Sequence, residues 1–72
     1  MEYILSITSL DNTGKRITRY WDRSRRMWIE SKINAKGYKS AAVASGQMTR
    51  IERAGIKLPL GETLYQWGWE KV

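Results

Sequence analysis

The 72 residues of this chain include neither cysteine nor histidine. A domain of this size buries a small core, and many such domains need a disulfide, a structural metal or a partner to be stable. Neither a disulfide nor a typical zinc site is available here, and the Asp and Glu residues lack the spacing of a calcium loop. We therefore expect one domain, residues 1–72, without a metal or cofactor. Packing of its four Trp and four Tyr residues must stabilise it, and a homodimer is a second possible source of stability.

The same absence bears on function. Histidine is the commonest general base and cysteine the commonest soft nucleophile, so we expect no catalytic residues and no enzyme activity. Thirteen Lys and Arg residues against seven Asp and Glu residues give a formal net charge of +6. This surplus favours an anionic partner, such as nucleic acid, an anionic membrane surface or an acidic protein face, although it can also serve solubility alone. The apolar runs are too short to span a membrane, and residues 1–5 do not resemble a signal peptide, so we expect a cytoplasmic protein without a membrane partner.

Alternation of polar and apolar residues predicts four strands. A helix with a 3.6-residue period precedes the last of them, with Ser40 as its N-cap and Gly55 at its end. The pattern predicts an α+β fold, a small antiparallel sheet with one helix packed on a face, in the order β-β-β-α-β. The predicted strands cover residues 3–10, 15–21, 27–31 and 62–72.

Three arginines, Arg23, Arg25 and Arg26, lie between aromatic residues in a predicted strand-turn-strand. Guanidinium groups bind phosphates with a planar fork, and aromatic rings stack on exposed bases, for which Trp28 is the best candidate. The alternative is that Trp21 and Trp28 belong to the core and the arginines only solvate a loop.

Two further clusters have a functional and a structural interpretation. Tyr65, Trp67 and Trp69 are predicted to share one face of the last strand. A chain this short must bury its largest side chains, which favours a core position, but an exposed edge strand would make them a stacking platform or a protein interface. On the helix, Arg50 and Arg53 share a face that is either solvated or in contact with phosphates.

The segment 48–64 reads Met-Thr-Arg-Ile-Glu-Arg-Ala-Gly-Ile-Lys-Leu-Pro-Leu-Gly-Glu-Thr-Leu. This segment resembles the end of the helix-turn-helix in phage-repressor-like regulators. Upstream, Gly46 takes the place of the turn glycine of that motif, and Ala42 lies where the motif has a small residue. Ile51 and Ile56 each miss an apolar position by one, and the strand-rich first half does not suit that all-helical fold.

The overall layout resembles a loose class of short phage and prophage accessory proteins. The residues that carry this resemblance are Trp28 in the third strand, and Ala35, Tyr38 and Ser40 in a step into the helix, followed by Ala44. The class includes inhibitors of host defence such as anti-CRISPR proteins. The resemblance implies a fold and a setting in the host-cell cytoplasm rather than a mechanism.

The sequence thus predicts a small basic, non-enzymatic binding protein of phage or mobile-element type whose partner is DNA or RNA. The alternative is an inhibitor that binds a host protein or defence complex. The candidate binding residues are Arg16, Arg19, Arg23, Arg25, Arg26, Trp28, Arg50 and Arg53.

Overall fold

The computed structural model describes residues 2–72. Its elements are β1 (Tyr3–Leu10), β2 (Arg16–Asp22), β3 (Met27–Ile29), α1 (Ala41–Ala54) and β4 (Thr63–Lys71). Strand β1 lies near the centre of a four-stranded sheet. The strand order is β3-β2-β1-β4, every neighbouring pair is antiparallel, and helix α1 packs on β1 and β4. This confirms the predicted α+β fold and element order.

Both ends of α1 follow the predicted local signals. The Ser40 hydroxyl accepts a hydrogen bond from the Val43 N–H at 3.2 Å, which satisfies one of the free donors of the first turn. Gly55 follows the last turn with a φ of 94°, a conformation that residues with a Cβ rarely adopt. The helix therefore begins and ends where the sequence predicts.

The core lies between α1 and the face of the sheet that Leu5 and Ile7 share. These two side chains pack with Ala44 and Met48 of the helix and with Tyr38 of the preceding connector, and all five residues are buried. Because successive side chains of a strand point to opposite faces, the period of two in β1 and the 3.6-residue period of α1 bring these residues together.

The connector between β3 and α1 returns to the sheet beside the start of β1. Tyr3 and Tyr38 exchange two backbone hydrogen bonds of 2.7 Å. Gly37 precedes this contact, and a Cβ on it would lie 2.7 Å from the Tyr3 carbonyl oxygen, so only glycine fits. The connector is thereby fixed beside the start of β1, and the Arg23 N–H, which donates to the Lys36 carbonyl oxygen at 3.1 Å, ties it to the turn between β2 and β3.

A β-bulge changes which side chains β4 presents to each face. The register shifts so that Gln66 pairs with Thr8 and Leu64 with Ser9, which leaves Tyr65 as the extra residue. Leu64 therefore packs against the core, while Tyr65 stacks on Arg16 on the opposite face of the sheet. The prediction that Tyr65 shares a face with Trp67 and Trp69 is wrong, because one inserted residue reverses the alternation.

The segment 48–64 does not form a helix-turn-helix. Its first part is the end of α1, which stops at Ala54, and its last residues enter β4 at Thr63. Across residues 2–72, the structure has no helix with the length and apolarity that a membrane crossing requires.

Candidate functional site

A groove runs between α1 and the β2–β3 hairpin, and two tryptophans form its floor. Trp21 and Trp28 pair across the hairpin, and their rings meet edge to face, with centroids 5.2 Å apart. Both are half-buried and pack against the core, while Ile51 and Ala54 of α1 line the opposite wall. The widest part has a volume of about 430 Å³, within the range of small-ligand sites. We call this feature the helix–hairpin groove.

Cationic side chains surround this groove. Arg26 borders it throughout, Arg23 borders the end near Tyr38, and Arg50 and Lys57 approach from the helix side. Within residues 2–72, the charged side chains that line the groove are all cationic. Because apolar walls focus the field of such charges, the groove attracts anions more strongly than an open surface of equal charge does.

Arg26 has an unusual backbone conformation. Its φ is 55°, in the left-handed region, and its N–H donates a hydrogen bond of 2.8 Å to the Asp22 carbonyl oxygen. This conformation costs a non-glycine residue about 1–2 kcal/mol, whereas glycine adopts it freely. The tight turn of the hairpin therefore carries an arginine at a position where glycine would be more stable.

A buried carboxylate organises the same turn. Asp22 accepts hydrogen bonds from the N–H groups of Ser24 and Lys36, both at 3.1 Å. Burial raises the pKa of Asp22, but these hydrogen bonds and the Arg25 charge outweigh it, so that the pKa lies below its ordinary value. Arg25 lies 3.6 Å from the Asp22 carboxylate and does not line the groove.

The other end of the groove is bounded by Tyr38 and Arg23. The Arg23 Nε donates a hydrogen bond of 3.0 Å to the Gly37 carbonyl oxygen, which anchors this side chain to the connector. Burial raises the pKa of Tyr38, against the opposing effects of a hydrogen bond with Trp21 and the positive charges of Arg23 and Arg26. The Tyr38 phenol is therefore neutral at physiological pH.

The structure brings together four of the eight candidate residues from the sequence. The others lie elsewhere: Arg16 stacks on Tyr65 with its guanidinium carbon 4.8 Å from the ring centroid, and Arg53 is exposed outside the groove. The four residues at the groove are Arg23, Arg26, Trp28 and Arg50.

Arg19 illustrates a cation that is already neutralised. Its guanidinium group forms two hydrogen bonds with the Glu62 carboxylate, at 2.7 and 3.1 Å, and the Ser9 hydroxyl donates a third to Glu62. Arg19 and then Ser9 hold the pKa of Glu62 below its usual value of 4.5. This largely buried pair joins β2 to the residue before β4, so the Arg19 guanidinium group already has a carboxylate partner.

Sequence reasoning did not place Trp21, Tyr38 or Ile51 at a binding site. Trp21 was detectable in principle, because the hairpin register that puts it opposite Trp28 follows from the turn length. Tyr38 and Ile51 carry no comparable local signal, since only the packing of α1 and the connector brings them to the groove.

A second exposed aromatic region lies at the outer edge of the sheet. Trp67 and Trp69 are 43% and 44% exposed, and the Trp69 ring meets Tyr3 edge to face at a centroid distance of 5.7 Å. They lie on the α1 side of β4, since they pair with Ile7 and Leu5. Trp67 and Trp69 thus belong to an exposed edge of the sheet rather than to the core. We call this region the β4 edge.

Residues 2–72 contain no group of three or more potential ligating side chains that could hold a metal ion. Comparisons of the chain with protein-family models, curated proteins and solved structures find no match.

Proposed function

We propose that this chain is a non-enzymatic binding protein that takes single-stranded nucleic acid into the helix–hairpin groove. One observation carries the proposal: Arg26, Arg50 and Lys57 converge on a groove floored by two indoles and, within residues 2–72, make no ion pair with a carboxylate. Aromatic rings and cations arranged in this way are typical of single-strand binding.

The phosphate and the base of a nucleotide each have a matching group in the groove. Arg26 and Arg50 would hold successive phosphates, and the accessible part of Trp28 would stack on a base. The apolar side chain of Ile51 faces the same space and excludes water from the stacked base. These contacts are to phosphates and bases, which DNA and RNA share, so either could be the ligand.

A single strand fits this site better than a duplex. The groove is concave and small, whereas duplex readers insert a protruding helix or ribbon into a groove of the nucleic acid. The bases of a single strand are free to leave the backbone path and enter a concave site. The phage or mobile-element setting in the host cytoplasm stays a prediction from the resemblance.

Fluorescence anisotropy with a labelled single-stranded oligonucleotide, at low and near-physiological salt, tests the proposal. Four cations line the groove, Arg23, Arg26, Arg50 and Lys57. If each neutralises one phosphate, the release of counterions should lower the affinity about 50-fold for a fourfold rise in salt. A duplex of the same sequence should compete weakly. Absence of binding at low salt would contradict the proposal, and so would an affinity that does not change with salt.

One observation favours a second function, binding of an acidic segment of a host protein. Next to its cations the groove is apolar, with Met27 51% exposed beside Trp28 and opposite Ile51. Trp and Arg are frequent hot-spot residues of protein interfaces, as an inhibitor of the anti-CRISPR type would require. Retention of a stoichiometric protein from nuclease-treated host lysate by the wild type, but not by Arg26→Glu, would favour this function over nucleic-acid binding.

A further inference from the structure

The outer edge of β4 offers unpaired backbone groups. Val72 donates its N–H to the Glu2 carbonyl oxygen at 2.8 Å, toward β1. Because peptide groups alternate in direction along a strand, those of Trp67, Trp69 and Lys71 point away from β1. The backbone of Tyr3, which lies opposite Lys71, supports this assignment. Its N–H and carbonyl groups bond to Tyr38 on the other side of β1 and therefore not to Lys71. This edge pairs with no strand in residues 2–72.

The two edges of the sheet differ in how they are protected. Strand β3 is only three residues long, whereas β4 has nine, and all nine are exposed or half-buried. Natural edge strands usually carry charges, proline or a β-bulge that prevents pairing. The stretch 66–69, Gln-Trp-Gly-Trp, follows the bulge at Tyr65 and contains none of these, and the nearby Glu70 carboxylate is paired with Lys32 at 3.1 Å. A neutral, aromatic edge of this kind is typical of a strand that pairs with another chain.

We propose that this partner is a second copy of the chain, which pairs antiparallel with the β4 edge around a two-fold axis at Gly68. This register sets Trp67 against the second copy's Trp69, and Gln66 against the second copy's Glu70, so that no like charges meet. A Cβ on Gly68 would meet nothing within 4 Å, which leaves room for close approach at the axis.

The contact area is sufficient for an interface. Each indole exposes nearly half of a surface of up to about 250 Å², so that the four rings alone contribute roughly 400 Å². The two strand edges and their flanking side chains raise the total toward the ~1,000 Å² that a specific interface needs. A continuous eight-stranded sheet results. The two-fold axis is perpendicular to this sheet, so both helices lie on one face and both helix–hairpin grooves open there. Their use as binding sites rests on the proposed function.

Sedimentation equilibrium at near-physiological salt, without nucleic acid, tests this inference separately from the proposed function. The mass should rise with concentration from 8.4 kDa toward twice that value between about 1 µM and about 1 mM, the range of weak to moderate interfaces. Trp67→Lys should weaken the dimer at least ~10-fold, because it removes an anchor and places an ammonium group against the second copy's Trp69. Val43→Lys is the matched control, since Val43 is 57% exposed on α1, and it should change the dimer constant less than ~2-fold.

Gly68→Glu provides a second variant that removes no native side-chain contact. It places two carboxylates opposite each other at the axis, so it should also weaken the dimer at least ~10-fold, with an unchanged circular dichroism spectrum. A chain that stays monomeric throughout the concentration range would overturn the inference. A dimer that both β4 variants leave intact would overturn it as well, and would assign self-association to another surface.

Discussion

The helix–hairpin groove and the β4 edge both expose tryptophan, but their surroundings differ. In the groove, the indoles of Trp21 and Trp28 lie among cationic side chains without carboxylate partners in residues 2–72. At the β4 edge, Trp67 and Trp69 lie beside unpaired peptide groups, and the nearby Glu70 is paired with Lys32. The first surroundings suit an anion with planar rings, and the second suit another strand.

An exposed indole therefore does not by itself define a partner, because its apolar surface fits a base, a peptide or a second indole equally well. The groups within reach of the ring make the difference. If the comparison is correct, changes in the groove alter nucleic-acid affinity without affecting self-association, and changes at the β4 edge do the reverse.

The largest expected effect is on nucleic-acid affinity. Reversing two charges of the groove, with Arg26→Glu and Arg50→Glu together, should lower the affinity more than ~100-fold, because two attractive phosphate contacts become repulsive. Fluorescence anisotropy measures this change. The matched control is Arg16→Glu with Arg53→Glu, which alters the net charge equally outside the groove and should cost less than ~5-fold. Equal losses in the two double variants would show that only net charge matters.

Removal of one stacking ring should have a smaller effect. Trp28→Leu keeps an apolar floor but loses a base-stacking surface worth about 1–3 kcal/mol, so affinity should fall about 10-fold. Trp67→Leu is the control from the β4 edge, and it should leave affinity within ~2-fold while it weakens self-association. Equal losses of affinity in the two leucine variants would mean that the groove and the β4 edge do not differ in function.

Arg26→Gly should separate binding from stability. Glycine relieves the left-handed backbone, so the free energy of unfolding should rise by about 1 kcal/mol, while loss of one phosphate contact should lower affinity about 5-fold. Urea unfolding and anisotropy measure the two effects. Gly46→Ala, on the exposed surface of α1, should give a similar gain in stability without a loss of affinity. A glycine variant that binds as well as the wild type would remove Arg26 from the site.

The smallest expected effect on nucleic-acid binding is that of replacing Arg19, the cation paired with Glu62. The unfolded chain protonates Glu62 at a higher pH than the folded chain does, because Arg19 and Ser9 lower its folded pKa. The stability from this pair is thus fully present above pH 4.5 and is lost as the pH falls through the folded pKa.

Urea unfolding as a function of pH measures this contribution. Glu62→Gln should reduce stability at neutral pH and flatten its decline in acid, and Arg19→Gln should leave nucleic-acid affinity within ~2-fold. As a control, Glu52→Gln on the exposed side of α1 should leave neutral-pH stability unchanged. A large loss of affinity in Arg19→Gln would mean that paired cations also reach the ligand.

The fold was accessible from the sequence because its signals are local. Ser40 and Gly55 mark the ends of α1 by hydrogen bonding and backbone preference, and buried and half-buried residues alternate in β1 from Leu5 to Leu10. The bulge at Tyr65 was not accessible, because a continuous aromatic alternation looks the same with or without an extra residue. Only the register against β1 determines which face Tyr65 occupies.

The candidate site was accessible in part for the same reason. Arg23, Arg26 and Trp28 are close in the chain, so their proximity follows from one hairpin. Arg19 looks equivalent to Arg26 in the sequence, yet a carboxylate 43 residues away neutralises it.

Composition and periodicity alone therefore determined an α+β fold without disulfides, a surplus of cations and an aromatic hairpin, since these depend on residue type and near neighbours. Tertiary structure decided which cations keep their charge available and which indoles remain exposed. Both depend on contacts between residues far apart in the chain, where a single carboxylate or a single extra residue in a strand reverses the outcome.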